Sequence, residues 1–585
     1  MGAISGIFSF DKSFYSDSTL NKFSKTLSHR LSNVEKYVSD NYLFIQEQDI
    51  FYNNDLVINF DGNLYNKSYL DKKYNLKKLE KERPSSQIIS EIYKKTGIDF
   101  FKELEGSFVF TIYDKKENIF YLVRDQLGEK AVYYNFKNNR LAYSSEIKAI
   151  LELDDVKREL NISSMEKYFI FSYVAGQDTM IKDVYELLPA HYIEIKENSL
   201  KKIQYWDLTE KLNETINNEE DLIDKLKLLL NDSVKKRMPE NESIGLFLSG
   251  GIDSSLVAAI AQNHRKDKIN TYSIHFGKEY PNELYYSSMV AEHIKSNHQI
   301  VEIKPKNFLN DMFNIIKCLD DPIGDPITVP NFILASIAGK NNKIVLNGEG
   351  GDPLFGGPKN IPMVLSHFYS NSQDEYEIEK YYLKSYKKCY DIINSLFSEN
   401  ILNSLKKEEK PELFINSYLK NINTDSLLQK LMFLNTKLKG THHILVKVDK
   451  MTSANKINAI APIFSPDISQ FSFQIPPEMK LNGRIEKYIL KKAVEDILPY
   501  EVIYREKKGM MVPVKFWFQK DLKKYAKKIL SKKSINQKGY FNYEFIKNLI
   551  NYNLDEHQKS HMGLKLWMII TFEIWHKIFI ENESI

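Results

Sequence analysis

Residues Ser249-Gly250-Gly251-Ile252-Asp253-Ser254-Ser255 constrain the fold of this chain more than any other stretch. The apolar segment Ile244 to Leu248 precedes them, and Leu256 to Ala261 continue as a helix-like run. The order is strand, glycine-rich turn, helix start. Gly250 and Gly251 let backbone N–H groups approach an anion closely. The helix start adds partial positive charge, and the hydroxyls of Ser249, Ser254 and Ser255 add donors. Asp253 repels a bare phosphate, but it fits where a divalent cation lies between carboxylate and phosphate. An isolated Ser-Gly-Gly reads equally well as a capped helix start. The full segment behind an apolar strand is rarer, and it lacks the lysine of a Walker A loop. It reads as a site for the pyrophosphate of a nucleotide together with a metal ion.

A chain of 585 residues holds more than one domain. Its 81 basic and 77 acidic residues give a net charge of +4, which makes no strong electrostatic case for nucleic acid. Lys406-Lys407 and Lys523-Lys524 lie among acidic or apolar neighbours and read as solvated faces. Cys318 and Cys389 are far apart and no CxxC exists, so neither a zinc knuckle nor a redox pair is suggested, and the usage fits a reducing cytoplasm. No signal peptide and no uncharged apolar run of membrane-spanning length is read, so a cytoplasmic protein is expected.

Residues 1–155 are strand-rich. Ile4 to Phe10, Leu56 to Phe60, Ser107 to Tyr113, Ile119 to Val123 and Ala131 to Phe136 read as strands, with turns at Asp61-Gly62-Asn63 and Asp125 to Gly128. Ser86 to Thr96 reads as a helix with Ile88, Ile89, Ile92 and Tyr93 on one face. An α+β sandwich is expected there. Residues 156–215 read as a connector. In 216–585 a charged helix through Glu219 to Lys236 leads into the glycine loop. Strands at Thr271 to Phe276, Gln299 to Ile303 and Lys343 to Leu346 then alternate with helices such as Tyr285 to Ile294. This is the spacing of a parallel doubly wound sheet, with a mainly helical extension beyond residue 365.

The strand at 343–346 ends in Asn347-Gly348-Glu349-Gly350-Gly351-Asp352. Ligands bind at strand C-terminal ends in such a sheet, so the two glycine loops are expected side by side. Asp253 and Asp352 then supply two carboxylates for Mg²⁺ on ATP phosphates, with Glu349 close to the α-phosphate. Asp352 taken alone reads equally well as a turn residue before Pro353.

These pieces carry a resemblance. LSGGIDSSLVAA, TYSIHF, DDPIGDP at 320–326, NGEGGDPLFGG at 347–357, VDKMTSANKI at 448–457, RIEKYILKKAV at 484–494 and YREKKGMMVPVKFWF at 504–518 follow in order. The chain resembles the glutamine-dependent, B-type asparagine synthetase family over nearly its whole length. The resemblance implies a C-terminal domain of the ATP pyrophosphatase type. It implies that Leu248, Ile274, Asn347 and Gly348 hold the adenosine, and that Ser249, Gly251, Asp253 and Ser254 hold the pyrophosphate. Asp253 and Asp352 match metal-binding positions. Lys487 matches a lysine that stabilises charge at adenylation, although alone it reads as a surface helix lysine. Glu349 matches a glutamate that orients or deprotonates an attacking amine. The implied reaction adenylates a carboxylate, releases pyrophosphate, and couples the acyl group to an amine with release of AMP.

The N-terminal half is similar to the family's glutaminase domain, of N-terminal-nucleophile type, in DGNLYN at 61–66, EGSF at 105–108, RDQLG at 124–128 and SSEIKA at 144–149. That domain uses a cysteine nucleophile. Gly2 stands at its position here, and a glycine has no nucleophile to offer. Asn63 stands where the family's motif has a glutamate. A degenerate, inactive domain is expected, as in β-lactam synthetases and lasso-peptide cyclases. Gly350-Gly351-Asp352-Pro353 also departs from the family's more usual Gly-Ser-Asp-Glu. The expected partners are therefore a small-molecule or peptide carboxylate, an amine from ammonia, from a substrate or from a biosynthetic partner protein, and neither nucleic acid nor membrane. The alternatives are a lasso-peptide- or β-lactam-type cyclase in natural-product tailoring, or asparagine synthesis from free ammonia. A sulfur-transfer or tRNA-modifying enzyme is disfavoured by the lack of CxxC and of a basic balance. A non-catalytic homologue is disfavoured by the joint presence of Asp253, Asp352, Glu349 and Lys487.

Overall fold

The computed structural model describes residues 2–583 apart from 11–16, 32–33, 48, 77–82, 198, 209–217, 240–241, 358–359, 361–362, 365–374, 387, 421, 508–510 and 555–560. The chain forms two compact units. The first comprises Met1–Arg158, Gly176–Leu208 and Val448–Asn458; the second comprises Glu159–Ala175, Thr209–Lys447 and Ala459–Ile585.

The first unit is built on two six-stranded sheets. In one, the order is Tyr185–Glu186, Tyr133–Lys137, Arg140–Ser144, Ser5–Ser9, Tyr42–Gln46 and Glu35–Val38. In the other it is Ser199–Gln204, His191–Lys196, Ile119–Arg124, Gly106–Asp114, Leu56–Leu64 and Ile50–Tyr52. Adjacent strands are antiparallel in both. Alternation along Leu56–Leu64 sends Val57 into one core, with Phe8, Tyr42 and Phe120, and Leu56, Ile58 and Phe60 into another, with Ile88, Ile89 and Ile92 of the helix Ser85–Thr96. The rings of Phe8 and Phe120, one from each sheet, stack at 4.5 Å.

Three expectations change here. Asp61-Gly62-Asn63 is not a turn. The strand runs on to Leu64 because pairing with Gly106–Asp114 continues through Gly62 opposite Phe108. Gly62 has φ +124°, and a β-carbon there would meet the Ser107 carbonyl, so the position requires glycine. The stretch 156–215, expected as a connector, carries strands of the first unit from Tyr185 to Gln204 and the helix Ile162–Phe171 of the second. Val448–Asn458, expected with the C-terminal domain, packs in the first unit. Asp449 explains why: its carboxylate accepts from Arg30 Nη2 at 3.0 Å and Lys130 Nζ at 2.7 Å.

The second unit holds a five-stranded sheet in the order Asn297–Glu302, Asn270–His275, Ile244–Phe247, Ile344–Leu346 and Asn458–Ile460. The first four strands pair in parallel. Going out from Ile244–Phe247, the chain winds first to one side and then returns to the other, at Ile344–Leu346. The strand order therefore reverses between these two neighbours, and that is where an open α/β sheet leaves a crevice. Helices Glu219–Lys236, Ile252–Asn263, Leu284–His293 and Thr328–Ala338 alternate with the strands. The described residues beyond 375 are mainly helical, ending in the buried helix Met562–Phe579. They include a π-helix over Asn435–Leu445.

Candidate active site

Both glycine loops leave adjacent strands at their C-terminal ends, as expected for ligand binding at that edge. The backbones touch: a β-carbon on Gly348 would lie 2.3 Å from the Ser254 nitrogen. In the first loop Gly250 has φ +76°, and a β-carbon there would meet the Ser287 nitrogen at 2.5 Å. Gly251 caps the helix Ile252–Asn263. Its N–H donates to Ser249 Oγ at 3.2 Å, and Ser249 Oγ lies 3.0 Å from Ser254 Oγ. The Ser249 N–H also donates to Ser254 Oγ. Ser249 is exposed, whereas Ser254 and Ser255 are buried, and the Ser255 N–H makes the first helical bond to the Gly251 carbonyl. Leu248 and Ile274 are buried, and the Leu248 N–H donates to the Tyr272 carbonyl of the neighbouring strand.

The second loop turns through Gly350, at φ +110°, which brings Asp352 into the first turn of Gly351–Phe355. Asn347 is buried, its N–H donates to the Ile460 carbonyl, and its side-chain oxygen accepts from the Glu349 N–H. A β-carbon on Gly351 would fall 2.0 Å from Asp253 Oδ1, so the missing side chain leaves room for that carboxylate. Gly351 is where the chain departs from the serine of the resembled motif.

Lys487 ties the loops together. Its Nζ lies 2.5 Å from Asp253 Oδ2 and 2.6 Å from Asp352 Oδ1, and its side chain is 1% exposed. Burial alone lowers an ammonium pKa, but the two carboxylates outweigh it and raise Lys487 above the ordinary lysine value. Asp352, its side chain 42% exposed, is only partly desolvated; that works against its charge, yet Lys487 and Lys507 hold it well below the usual carboxylate range. Lys487 therefore does not behave as a surface helix lysine, and its backbone adopts φ +56° at the start of Tyr488–Lys492.

Residues 225–577 match the asparagine synthase family, and residues 1–206 match the glutamine amidotransferase domain. The chain belongs to the asparagine synthase family. A glutamine-hydrolyzing asparagine synthetase of Bacillus subtilis is 26% identical over 551 residues, covering 89% of this chain and 85% of the relative. A putative one of Methanocaldococcus jannaschii is 32% identical over 310 residues, 52% of this chain and 59% of the relative. A putative one of Mycobacterium bovis is 27% identical over 529 residues, 84% of this chain and 79% of the relative.

In this asparagine synthase family member, sequence reasoning missed Lys507, whose Nζ donates to Asp352 Oδ1 at 2.7 Å and Oδ2 at 2.9 Å. The motif at 504–518 was the available signal, but lysine spacing alone gives it no role. Lys508 to Met510 of that motif lie outside the described residues. Burial raises the Glu349 carboxyl above its ordinary value, with Lys447 the strongest opposing cation and Asp352 adding to the rise. Glu349 thus binds its proton more readily than a surface glutamate does, which suits exchange of a proton with an amine. Lys447 pairs with Asp325 of the 320–326 motif at 3.0 Å.

The carboxylates fit Mg²⁺. Asp253 Oδ1 is buried without a hydrogen-bond partner, an orphan acceptor facing the gap that Gly351 leaves. Among the described residues no cluster of three metal-ligating side chains occurs. Two carboxylates suit an ion that takes its remaining ligands from phosphate and water.

In the first unit Gly2 faces Asp61. A β-carbon on Gly2 would lie 2.1 Å from Asp61 Oδ1. Asp61 is buried, which raises its carboxyl, while Lys130 and Arg30 oppose the rise. Ser5 is buried in the first strand. Among the described residues no helix is long and apolar enough to cross a membrane.

Proposed function

We propose that this chain is an ATP-dependent, AMP-forming amide ligase that activates a substrate carboxylate as an acyl-adenylate and couples it to an amine without hydrolysing glutamine. The observation that carries this reading is the sharing of Lys487 between Asp253 and Asp352, one carboxylate from each glycine loop. Membership of the asparagine synthase family supports it.

In this reading the N–H groups and hydroxyls of the first loop, with the start of Ile252–Asn263, receive the β- and γ-phosphates. Mg²⁺, held by Asp253 and Asp352, would neutralise phosphate charge. Lys487 and Lys507 stand where charge develops as the substrate carboxylate attacks the α-phosphorus and the bond to pyrophosphate breaks. Leu248, Ile274, Asn347 and Gly348 form the adenosine side. Glu349 then takes a proton from the amine as its nitrogen attacks the acyl carbonyl, and AMP leaves.

The first unit serves as scaffold in this account. Gly2 offers no thiol, and the Asp61 carboxylate fills the place of a side chain there. The amine comes from free ammonia, a substrate's own amino group, or a partner protein. Cyclisation in natural-product tailoring, as in the β-lactam and lasso-peptide subgroup, and ammonia-dependent asparagine synthesis are both compatible acceptor chemistries. The test is ATP–pyrophosphate exchange with Mg²⁺ and a panel of carboxylates. Exchange that requires a carboxylate supports the reading; release of ADP and orthophosphate sinks it.

A further inference from the structure

We propose that Arg505 is a binding residue for the pyrophosphate end of ATP, held in position by Glu283 and Tyr286. The inference rests on the adenylating reading above. Arg505 Nη2 stands 3.8 Å from where a β-carbon of Gly251 would be, against the residue that caps the helix of the first loop. The same nitrogen donates to Glu283 Oε1 at 2.6 Å. The guanidinium lies over the Tyr286 ring, 4.5 Å from its centroid. Tyr286 and Ser287 in turn close on Gly250: a β-carbon there would meet the Ser287 nitrogen at 2.5 Å and the Tyr286 carbonyl carbon at 2.9 Å. The start of Leu284–His293 therefore supports both the loop and the arginine.

The side chain of Arg505 is 7% exposed and that of Glu283 is 11% exposed. A buried guanidinium needs a counter-charge, and Glu283 supplies it. The planar group carries five N–H donors, so pairing with one carboxylate oxygen leaves donors free for phosphate oxygens. The ring of Tyr286 fixes the plane in which those donors point. Lys487 and Lys507 are both engaged by the metal-site carboxylates. Arg505 is paired outside that set, on the side of Gly250 and Gly251, which places it towards the leaving pyrophosphate and away from the adenosine.

Calorimetric binding of Mg²⁺-pyrophosphate and of AMP, each alone, to the full chain tests this. Arg505→Gln should weaken pyrophosphate binding about 10- to 100-fold, the range of a charge-assisted pair, and leave AMP binding within about twofold. Arg505→Lys should recover part of the loss, since a point charge replaces the fork. Glu283→Gln keeps an acceptor oxygen that can hold the Arg505 guanidinium in place and removes only the competing charge, so pyrophosphate should bind more tightly. Unchanged pyrophosphate binding in a folded Arg505→Gln protein overturns the assignment. So does an equal loss of AMP binding, which marks a mere loop brace. If Arg505→Gln fails to fold, weaker pyrophosphate binding in Glu283→Gln overturns it. Wild type that binds neither ligand overturns the phosphate site itself, Arg505 included.

Discussion

Lys487 Nζ lies 2.5 Å from Asp253 Oδ2, although the two residues are 234 positions apart. The same ammonium reaches Asp352, so it is the counter-charge of both loops. Replacing it by Met leaves two carboxylates side by side. Breaking a buried pair costs about 3–5 kcal/mol, and the partial exposure of Asp352 puts this case at the lower end. Lys487→Met should lower Tm without divalent cation, and millimolar Mg²⁺ should restore part of the loss. The sign on the alkaline side follows from the raised lysine pKa: while the carboxylates are ionised, the pairing is fully present below the ordinary lysine value and fades as pH rises through the folded one. Thermal unfolding with and without Mg²⁺ checks this; no Mg²⁺ effect contradicts the metal assignment.

Asp352→Asn should reduce ATP–pyrophosphate exchange by about two orders of magnitude. Asp352 is held ionised by Lys487 and Lys507, so its contribution to stability is present above the ordinary aspartate value and lost as pH falls through the depressed one. Exchange at the wild-type rate in this variant removes Asp352 from the site.

The meeting of the two glycine loops was legible in the sequence, because loops that follow adjacent parallel strands leave the sheet at the same edge. The meeting of Asp253 with Asp352 followed from loop placement. Lys507 was not legible: its role depends on where 504–507 return to the sheet, which no local pattern encodes. The strand through Gly62 was misread as a turn because Asp-Gly-Asn is a turn signal, and tertiary pairing with Gly106–Asp114 overrides it. The connector at 156–215 was misread because its strands are short and mostly polar, and only the sheets they join reveal them.

Glu349 should govern the second step alone. Its raised pKa means that amide formation rises with pH through a value above 4.5, as the carboxylate becomes free to accept a proton. Glu349→Gln should remove that limb and slow amide formation about 10²- to 10⁴-fold, while ATP–pyrophosphate exchange persists. A parallel loss of both activities assigns Glu349 to adenylation instead.

Gly2→Cys should not restore glutamine hydrolysis. A β-carbon at Gly2 would collide with Asp61 Oδ1, and the added bulk should cost about 1–3 kcal/mol. Glutamate release and thermal unfolding measure both effects. Hydrolysis in the single variant contradicts the view that Asp61 has filled the nucleophile's place.

In the proposed reaction ATP is split between its α- and β-phosphates to activate a carboxylate. Phosphorus NMR of wild-type protein with Mg²⁺-ATP, ammonium and a panel of carboxylates beginning with aspartate tests it most directly. AMP and pyrophosphate should form in equal amounts, dependent on one carboxylate, and be absent in Asp352→Asn. ADP and orthophosphate as the products would contradict it.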